Sequence, residues 1–270
     1  MVQQAQKENQ FQAELEALPF PASVLAIDAK LAENPMDTQL WIERGIAFKK
    51  EQMNLRMAIE SYSIGLTYDP FCMLLYRHRG HAYINIRRYR EGAADLEMAS
   101  RMDPYNWDNW YHLALAYHLM GEYERALPVY ERCLEISLND DSIAAATDWY
   151  CLTLMKLGRL EDAQKASMRV HKGMNVSGSG GSYFNRVLVY NGSCTVDEVY
   201  DMALKKDNHM LSTSIYGLAV YCEQVLGDYE KGAAIREKVK EKSSLWSGFA
   251  ELAVYEDAKC KCGQHQSRLL

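Results

Sequence analysis

The chain repeats itself at a nearly fixed interval, and that interval restricts its fold more than any other feature. Trp41, Tyr76 and Trp110 are separated by 35 and 34 residues. Gly45, Gly80 and Ala114 keep the same spacing, as do Phe48, Tyr83 and Tyr117. Asp69-Pro70 and Asp103-Pro104 close two of the units. The clearest copy runs from Asn109 to Ser137. Within it Trp110, Leu113, Ala114 and Tyr117 recur at helical spacing and mark one apolar face. Gly121 predicts the stop, since glycine accepts the left-handed cap conformation that other residues resist. Ala126, Tyr130, Cys133 and Leu134 form the apolar face of a return helix, with Ala126 small enough to let the backbones approach. A lone helical hairpin cannot cover two such faces, so each pair must lean on the next.

An aromatic residue, a small one four on, an aromatic three further, a small residue in the return helix and a terminal proline follow in order. This order resembles the tetratricopeptide repeat (TPR) family. The unit from Tyr76 to Pro104 fits at almost every position, with Gly92 where alanine is usual. The first unit carries one extra residue in its turn. A fourth, Asp141 to Val170, keeps Gly158 and Ala163 but places Cys151 at the small position. The resemblance implies an all-α fold, a right-handed superhelix (α-solenoid) of about six helical hairpins with capping helices. The chain then divides into N-terminal capping helices at 1–37, four repeats at 38–170 and a Gly/Ser-rich loop at 171–182. Two degenerate hairpins and a closing helix occupy 183–262, and a tail 263–270.

The later segments have their own signals. Thr195-Val-Asp-Glu198 has capping-box spacing and predicts a helix start. Helices over 215–226 and 229–240 are joined by Gly227-Asp228-Tyr229, the turn chemistry of Gly121-Glu122-Tyr123. A closing helix over 245–259 would pack through Trp246, Phe249, Ala253 and Tyr255. Over residues 34–260 the order of elements is similar to bacterial NlpI-type TPR proteins, lipid-anchored envelope adaptors that collect peptidoglycan hydrolases and a protease.

Composition narrows the function. With 48% hydrophobic and 24% charged residues the chain is a folded protein. A net charge of −6 argues against a duplex nucleic-acid binder, which carries a broad basic surface. The amino end lacks the basic start and apolar run of a secretory signal. No stretch has the roughly 18 apolar residues of a membrane span, so membrane insertion is not expected and a cytoplasmic location is. Seven cysteines are scattered, and Cys72, Cys133, Cys151 and Cys222 fall on apolar faces, which suits a reducing compartment.

In a TPR fold the first helix of each pair lines the concave wall, so its non-core positions form the expected groove. These are Ile42, Ile46 and Lys49 in the first repeat and Arg77, His78, His81 and Ile84 in the second. Tyr111, His112, Leu115 and His118 follow in the third, and Asp148, Trp149, Leu152 and Lys156 in the fourth. His78 and His112 hold equivalent places and are expected to be neighbours. Such a wall of rings and imidazoles suits a peptide or protein segment. Chaperone-tail binding by a carboxylate clamp is not expected, because Ile42, Ile46, His78, Asp108 and His112 stand where lysine and asparagine are needed. The arginines at 77, 79, 87, 88 and 90 read as a solvated turn facing Glu91, Asp95 and Glu97.

Catalysis, cofactors and metals find little support. The Gly/Ser segment, including 177–182, has no preceding strand and no Gly-Lys-Ser/Thr ending, so it reads as a flexible connection. The groove histidines lack a nearby carboxylate or thiolate, since Asp148 lies two repeats away. Cys260, Cys262 and His265 supply soft ligands without a fourth and read as a pair of oxidisable tail thiols. No cofactor or metal is assigned, and no Ser/His/Asp or Cys/His set is readable. The expected function is a non-catalytic scaffold or adaptor that captures a partner segment in the concave groove. The rivals are a peptide-responsive intracellular regulator and an NlpI-like adaptor for envelope hydrolases or proteases. A homodimer is compatible with either.

Overall fold

Short polar residues start several of the helices, at Asp37, Asn54, Asn106, Asn139 and Thr195, and glycines stop others. The computed structural model describes residues 10, 13–15, 17–177, 180–205, 208–242, 249, 252–254 and 256–257. The chain divides into two compact units, Met1–Pro104 and Tyr105–Leu270. Among the described residues there is no β-strand, and no helix is long and apolar enough to cross a membrane.

The first unit holds α1 (Ala22–Glu33), α2 (Thr38–Gln52), α3 (Leu55–Tyr68), α4 (Met73–Asn85) and α5 (Tyr89–Met102). The pairs α2/α3 and α4/α5 are antiparallel hairpins, α3 packs on α4, and α1 covers α2. The Asp37 carboxylate accepts hydrogen bonds from the amides of Gln39 and Leu40 at 3.0 and 3.4 Å and starts α2. Asn54 starts α3 in the same way, accepting from the Met57 amide at 3.2 Å. These caps satisfy amides that have no partner inside the helix. Phe48, Leu55, Tyr62, Leu75, Ile84 and Leu96 are fully buried and fill the spaces between hairpins. Ile84, read from the sequence as a groove position, is therefore core.

Close backbone approach sets the α4/α5 crossing. A Cβ on Gly80 would lie 2.9 Å from Leu96 Cγ and 3.1 Å from the Gly92 carbonyl. A Cβ on Gly92 would meet the Gly80 carbonyl at 2.9 Å. Two glycines facing each other thus replace the usual small pair. Side-chain ion pairs hold the same hairpins. Arg79 forks onto both Asp95 oxygens at 2.7 and 2.8 Å and reaches Ser63 Oγ at 3.1 Å. Arg44 donates to Asp28 on α1 at 2.6 Å and to Ser61 on α3 at 2.9 Å. Arg79 and Asp95 accordingly leave the solvated arginine turn expected from the sequence, where Arg88 does pair with Glu91 at 2.8 Å.

The second unit holds α6 (Trp107–Leu119), α7 (Tyr123–Glu135), α8 (Asp140–Lys156), α9 (Leu160–Ser167), α10 (Gly180–Tyr190), α11 (Val196–Leu204), α12 (Asn208–Tyr221) and α13 (Tyr229–Lys242). A π-helical turn, Cys222–Leu226, extends α12. Consecutive helices pair as α6/α7, α8/α9, α10/α11 and α12/α13, and α8 also packs on α6, α7, α10 and α12. Residues 249, 252–254 and 256–257 are helical too and belong to the closing helix. The Thr195/Glu198 capping box is present, and a second one joins Asn139 and Ser142 ahead of α8. Gly121 and Gly158 stop α6 and α8 at φ of 75° and 74°.

Two departures from the sequence reading have clear causes. The segment after Val170 is not a free connection: the amides of Asn175 and Ser177 donate to Asp140 Oδ2 at 2.7 Å and Asp141 Oδ1 at 3.0 Å. Those carboxylates sit at the amino end of α8, so one pair of acids serves both the helix and the loop. Helices α10 and α12 also begin earlier than apolar periodicity indicates, at Gly180 and Asn208.

Candidate functional site

The expected groove residues separate into an accessible set and a covered set. In the first unit Ile42 is buried, while Ile46, Lys49, Arg77, His78 and His81 are half-buried. The Lys49 ammonium donates to His81 Nδ1 at 3.3 Å, which fixes the proton of that imidazole on Nε2. Burial, with Arg77 nearby, lowers the Lys49 pKa. His78 stacks on Tyr62 with ring centroids 5.6 Å apart. This face is a mixed cationic and imidazole patch built by α2 and α4. His78 belongs to the first unit and His112 to the second.

In the second unit a cleft of about 530 Å³ opens beside the amino ends of α6 and α8. Trp107, Asp108, Tyr111 and His112 line it from α6, Asn139, Asp141, Ser142 and Ala145 from α8 and its cap, and Ser177 and Tyr183 from the loop and α10. Trp107 and Tyr111 stand one helical turn apart and stack at 4.6 Å with planes 14° apart. The Trp107 indole N–H donates to Ser137 Oγ at 2.9 Å, so the ring is held from both sides. His112 Nδ1–H donates to the Asp108 carbonyl at 2.8 Å, which turns the other ring nitrogen outward from the backbone. Among these lining residues the sequence pointed to Tyr111, which is buried here, and His112. It did not point to Trp107, Asn139, Asp141 or Tyr183, although the four-residue step from Trp107 to Tyr111 places both rings on one helix face.

Leu115, His118, Trp149 and Leu152 do not line an open wall; they are buried. Trp149 has no exposed surface and packs against His118 and Tyr216, with centroids 5.1 and 5.9 Å away. The physical reason is that α8 is enclosed by α6, α7, α10 and α12. Residues 144–149 are buried without a break, so this helix keeps no solvent-facing side over that stretch, and its polar members Thr147 and Asp148 are enclosed with it. A helix without a sustained polar face is a buried one, and the run Ala144-Ala-Ala146 was the available signal. His118 Nδ1 lies 2.8 Å from Thr153 Oγ1, whose own proton goes to the Trp149 carbonyl at 2.7 Å. The imidazole is therefore the donor to Thr153, a satisfied core group.

Asp148, the carboxylate read as isolated, is paired with Arg186 of α10, and neither side chain is exposed. Arg186 Nε donates at 2.9 Å, Nη2 donates to the second oxygen, and Tyr190 Oη donates at 3.1 Å. Burial raises the Asp148 pKa, against the opposing pull of Arg186 and Tyr190. Lys156 is also engaged, donating to Asp257 of the closing helix at 2.6 Å. Asp257 further accepts from Arg236 at 2.5 Å and Tyr216 Oη at 3.2 Å. At its other end the closing helix sets Phe249 edge-on to His112 at 5.6 Å. The face of α6, α8 and α12 is thus occupied by the chain itself, which corrects the expectation of an open wall there. Among the described residues no three His, Cys, Asp or Glu side chains gather as a metal site. Cys260, Cys262 and His265 lie outside the described residues.

Known proteins locate this architecture. Residues 107–140 match the tetratricopeptide repeat family model. No curated protein matches the chain. Among solved structures it is similar to YrrB, described as a TPR protein with an unusual peptide-binding site, at 18% identity and a TM-score of 0.50. That match covers 80% of this chain and 92% of YrrB. It is likewise similar to MamA of AMB-1, at 17% identity and a TM-score of 0.50, covering 65% of this chain and 95% of MamA. At such identities the shared property is the fold of stacked helical hairpins.

Proposed function

We propose that this chain, which carries a tetratricopeptide repeat at 107–140, is a non-catalytic scaffold that captures a peptide or protein segment in the cleft of its second unit. The observation that carries this is the cleft itself. Its volume of about 530 Å³ lies within the roughly 300–1,000 Å³ usual for ligand sites. Its rings are held rigid by stacking and by the Ser137 bond, so little side-chain entropy is lost when a partner docks. Asn139 and Asp141 place polar groups along the cleft. The similarity to YrrB supports the same reading, since that protein is described as binding a peptide. The half-buried Lys49, Arg77, His78 and His81 offer a separate contact face in the first unit. The buried acids and cations Asp148, Arg186, Lys156, Glu223, Arg236 and Asp257 are paired with one another, which favours a structural role for them over chemistry. The free thiols at Cys72, Cys133, Cys151, Cys194 and Cys222 suit action in a reducing cytoplasm.

The test begins with a peptide selected from a random display library against the full chain. Its affinity is then compared for the wild type, His112→Ala and Asp108→Lys. Each variant is expected to weaken binding by about tenfold, or about 1.4 kcal/mol, with an unchanged thermal midpoint. Equal affinity for all three chains would remove the cleft as the partner site.

A further inference from the structure

The closing helix is held by one carboxylate set into a cationic socket. Lys156 comes from the end of α8, and Arg236 from the middle of α13. Both donate to Asp257, at 2.6 and 2.5 Å, and Tyr216 of α12 completes the shell. Arg236 is independently forked onto Glu223, at 2.8 and 3.0 Å, and Glu223 is presented by the π-helical turn. The socket therefore has its own acid for one of its two cations. The second cation, Lys156, is balanced by Asp257. Without that carboxylate the socket keeps one buried positive charge in excess, and a buried unpaired charge is strongly unfavourable.

The packing beside that carboxylate is incomplete. A cavity of about 50 Å³ remains between His118, Leu119, Met120, Gly121 and Tyr123 on one side and Ala253, Glu256 and Asp257 on the other. Leu252, Ala253 and Val254 are buried, and Phe249 reaches His112 at the edge of the cleft. The described residues of this helix thus reach both places, Phe249 at the edge of the cleft and Asp257, eight residues on, in the socket. Apolar contacts at 252–254 and one paired carboxylate at 257 are the chemistry by which a helix is held on this face.

We propose that the closing helix is an exchangeable occupant of this face, and that the partner presents an amphipathic helix whose side-chain carboxylate takes the place of Asp257 between Lys156 and Arg236. The proposal rests on the scaffold role and adds its regulation: the chain competes with its partner for its own socket. The bound partner restores charge balance, while the displaced segment returns its carboxylate to water.

The experiment uses the full chain and a synthetic peptide of residues 245–259. Asp257→Asn in the full chain is expected to raise affinity for this peptide by at least about tenfold over the wild type. A peptide carrying the same Asp257→Asn change is expected to lose that gain. In the wild-type chain, amides 252–254 are expected to exchange with solvent through a local opening, faster than amides 149–153 of α8. Equal or absent peptide binding by both chains, or exchange of 252–254 only on global unfolding, overturns the proposal. If Asp257→Asn does not fold, the exchange rates of the wild type decide alone. Continued binding of the library-selected peptide in the cleft would show that exchange has failed while the scaffold role stands.

Discussion

His118 is sealed among Tyr123, Trp149 and Thr153, and burial, followed by the nearby Lys156, lowers its pKa from 6.5 to about 3. The folded state thus holds the neutral ring while the unfolded chain takes up a proton near pH 6.5. The contribution of this group is complete above pH 6.5 and is lost as the pH falls toward 3. The slope approaches about 1.4 kcal/mol per pH unit in that window. Urea midpoints measured from pH 8 to 5 are expected to fall accordingly, and His118→Leu is expected to flatten the profile. Backbone conformation is as decisive as charge. Gly121 sits at φ 75° with open space around its α-carbon, so Gly121→Ala isolates conformational cost without a clash. A loss of about 1–2 kcal/mol in denaturant titration is expected. Arg87 occupies the matching turn at φ 63° and bears the same strain in the native chain. Glycine at 121 could be read in advance because its cap role is a property of one residue. Burial of His118 could not, because it depends on which helices close over it.

The eighth helix shows why repeat spacing locates elements better than it assigns their faces. A period of 34 residues is set by contact between one hairpin and the next, so it marks the positions that touch within a pair. It carries no record of additional partners. Helix α8 has four besides its own, and its expected outer face became core. The Asp148–Arg186 pair joins α8 to α10 across that core, 38 positions apart in the chain. Arg186 was unremarkable in the sequence because it lies outside the regular repeats. Removing it strands a carboxylate with no route to water. Arg186→Met alone is expected to destabilise the second unit by about 3–5 kcal/mol. The double change Asp148→Leu with Arg186→Met is expected to recover most of that loss, because no charge remains. Calorimetry on both variants separates a stranded charge from a simple packing defect, for which the double change would be the worse.

Across the whole molecule, the parts legible from sequence are those built from local rules. The all-α class, the hairpin pairing and the cap at Thr195 follow from spacing and hydrogen-bond chemistry over a few residues. Of the residues lining the cleft, the sequence pointed to Tyr111 and His112 alone, because its remaining walls arrive from α8, the loop and α10. The cationic socket was invisible beyond Lys156, since its members come from helices distant in the chain. In the second unit, Cys133 on α7, Cys151 on α8 and Cys222 at the end of α12 are buried free thiols. Burial pushes all three above the ordinary thiol range, so the closed form presents almost no thiolate. Each sulfur lies in a different hairpin and stays inert until that hairpin parts from its neighbours. The protein therefore carries three internal clocks for its own fraying, and the order in which an alkylating reagent marks them records the sequence in which the layers come apart.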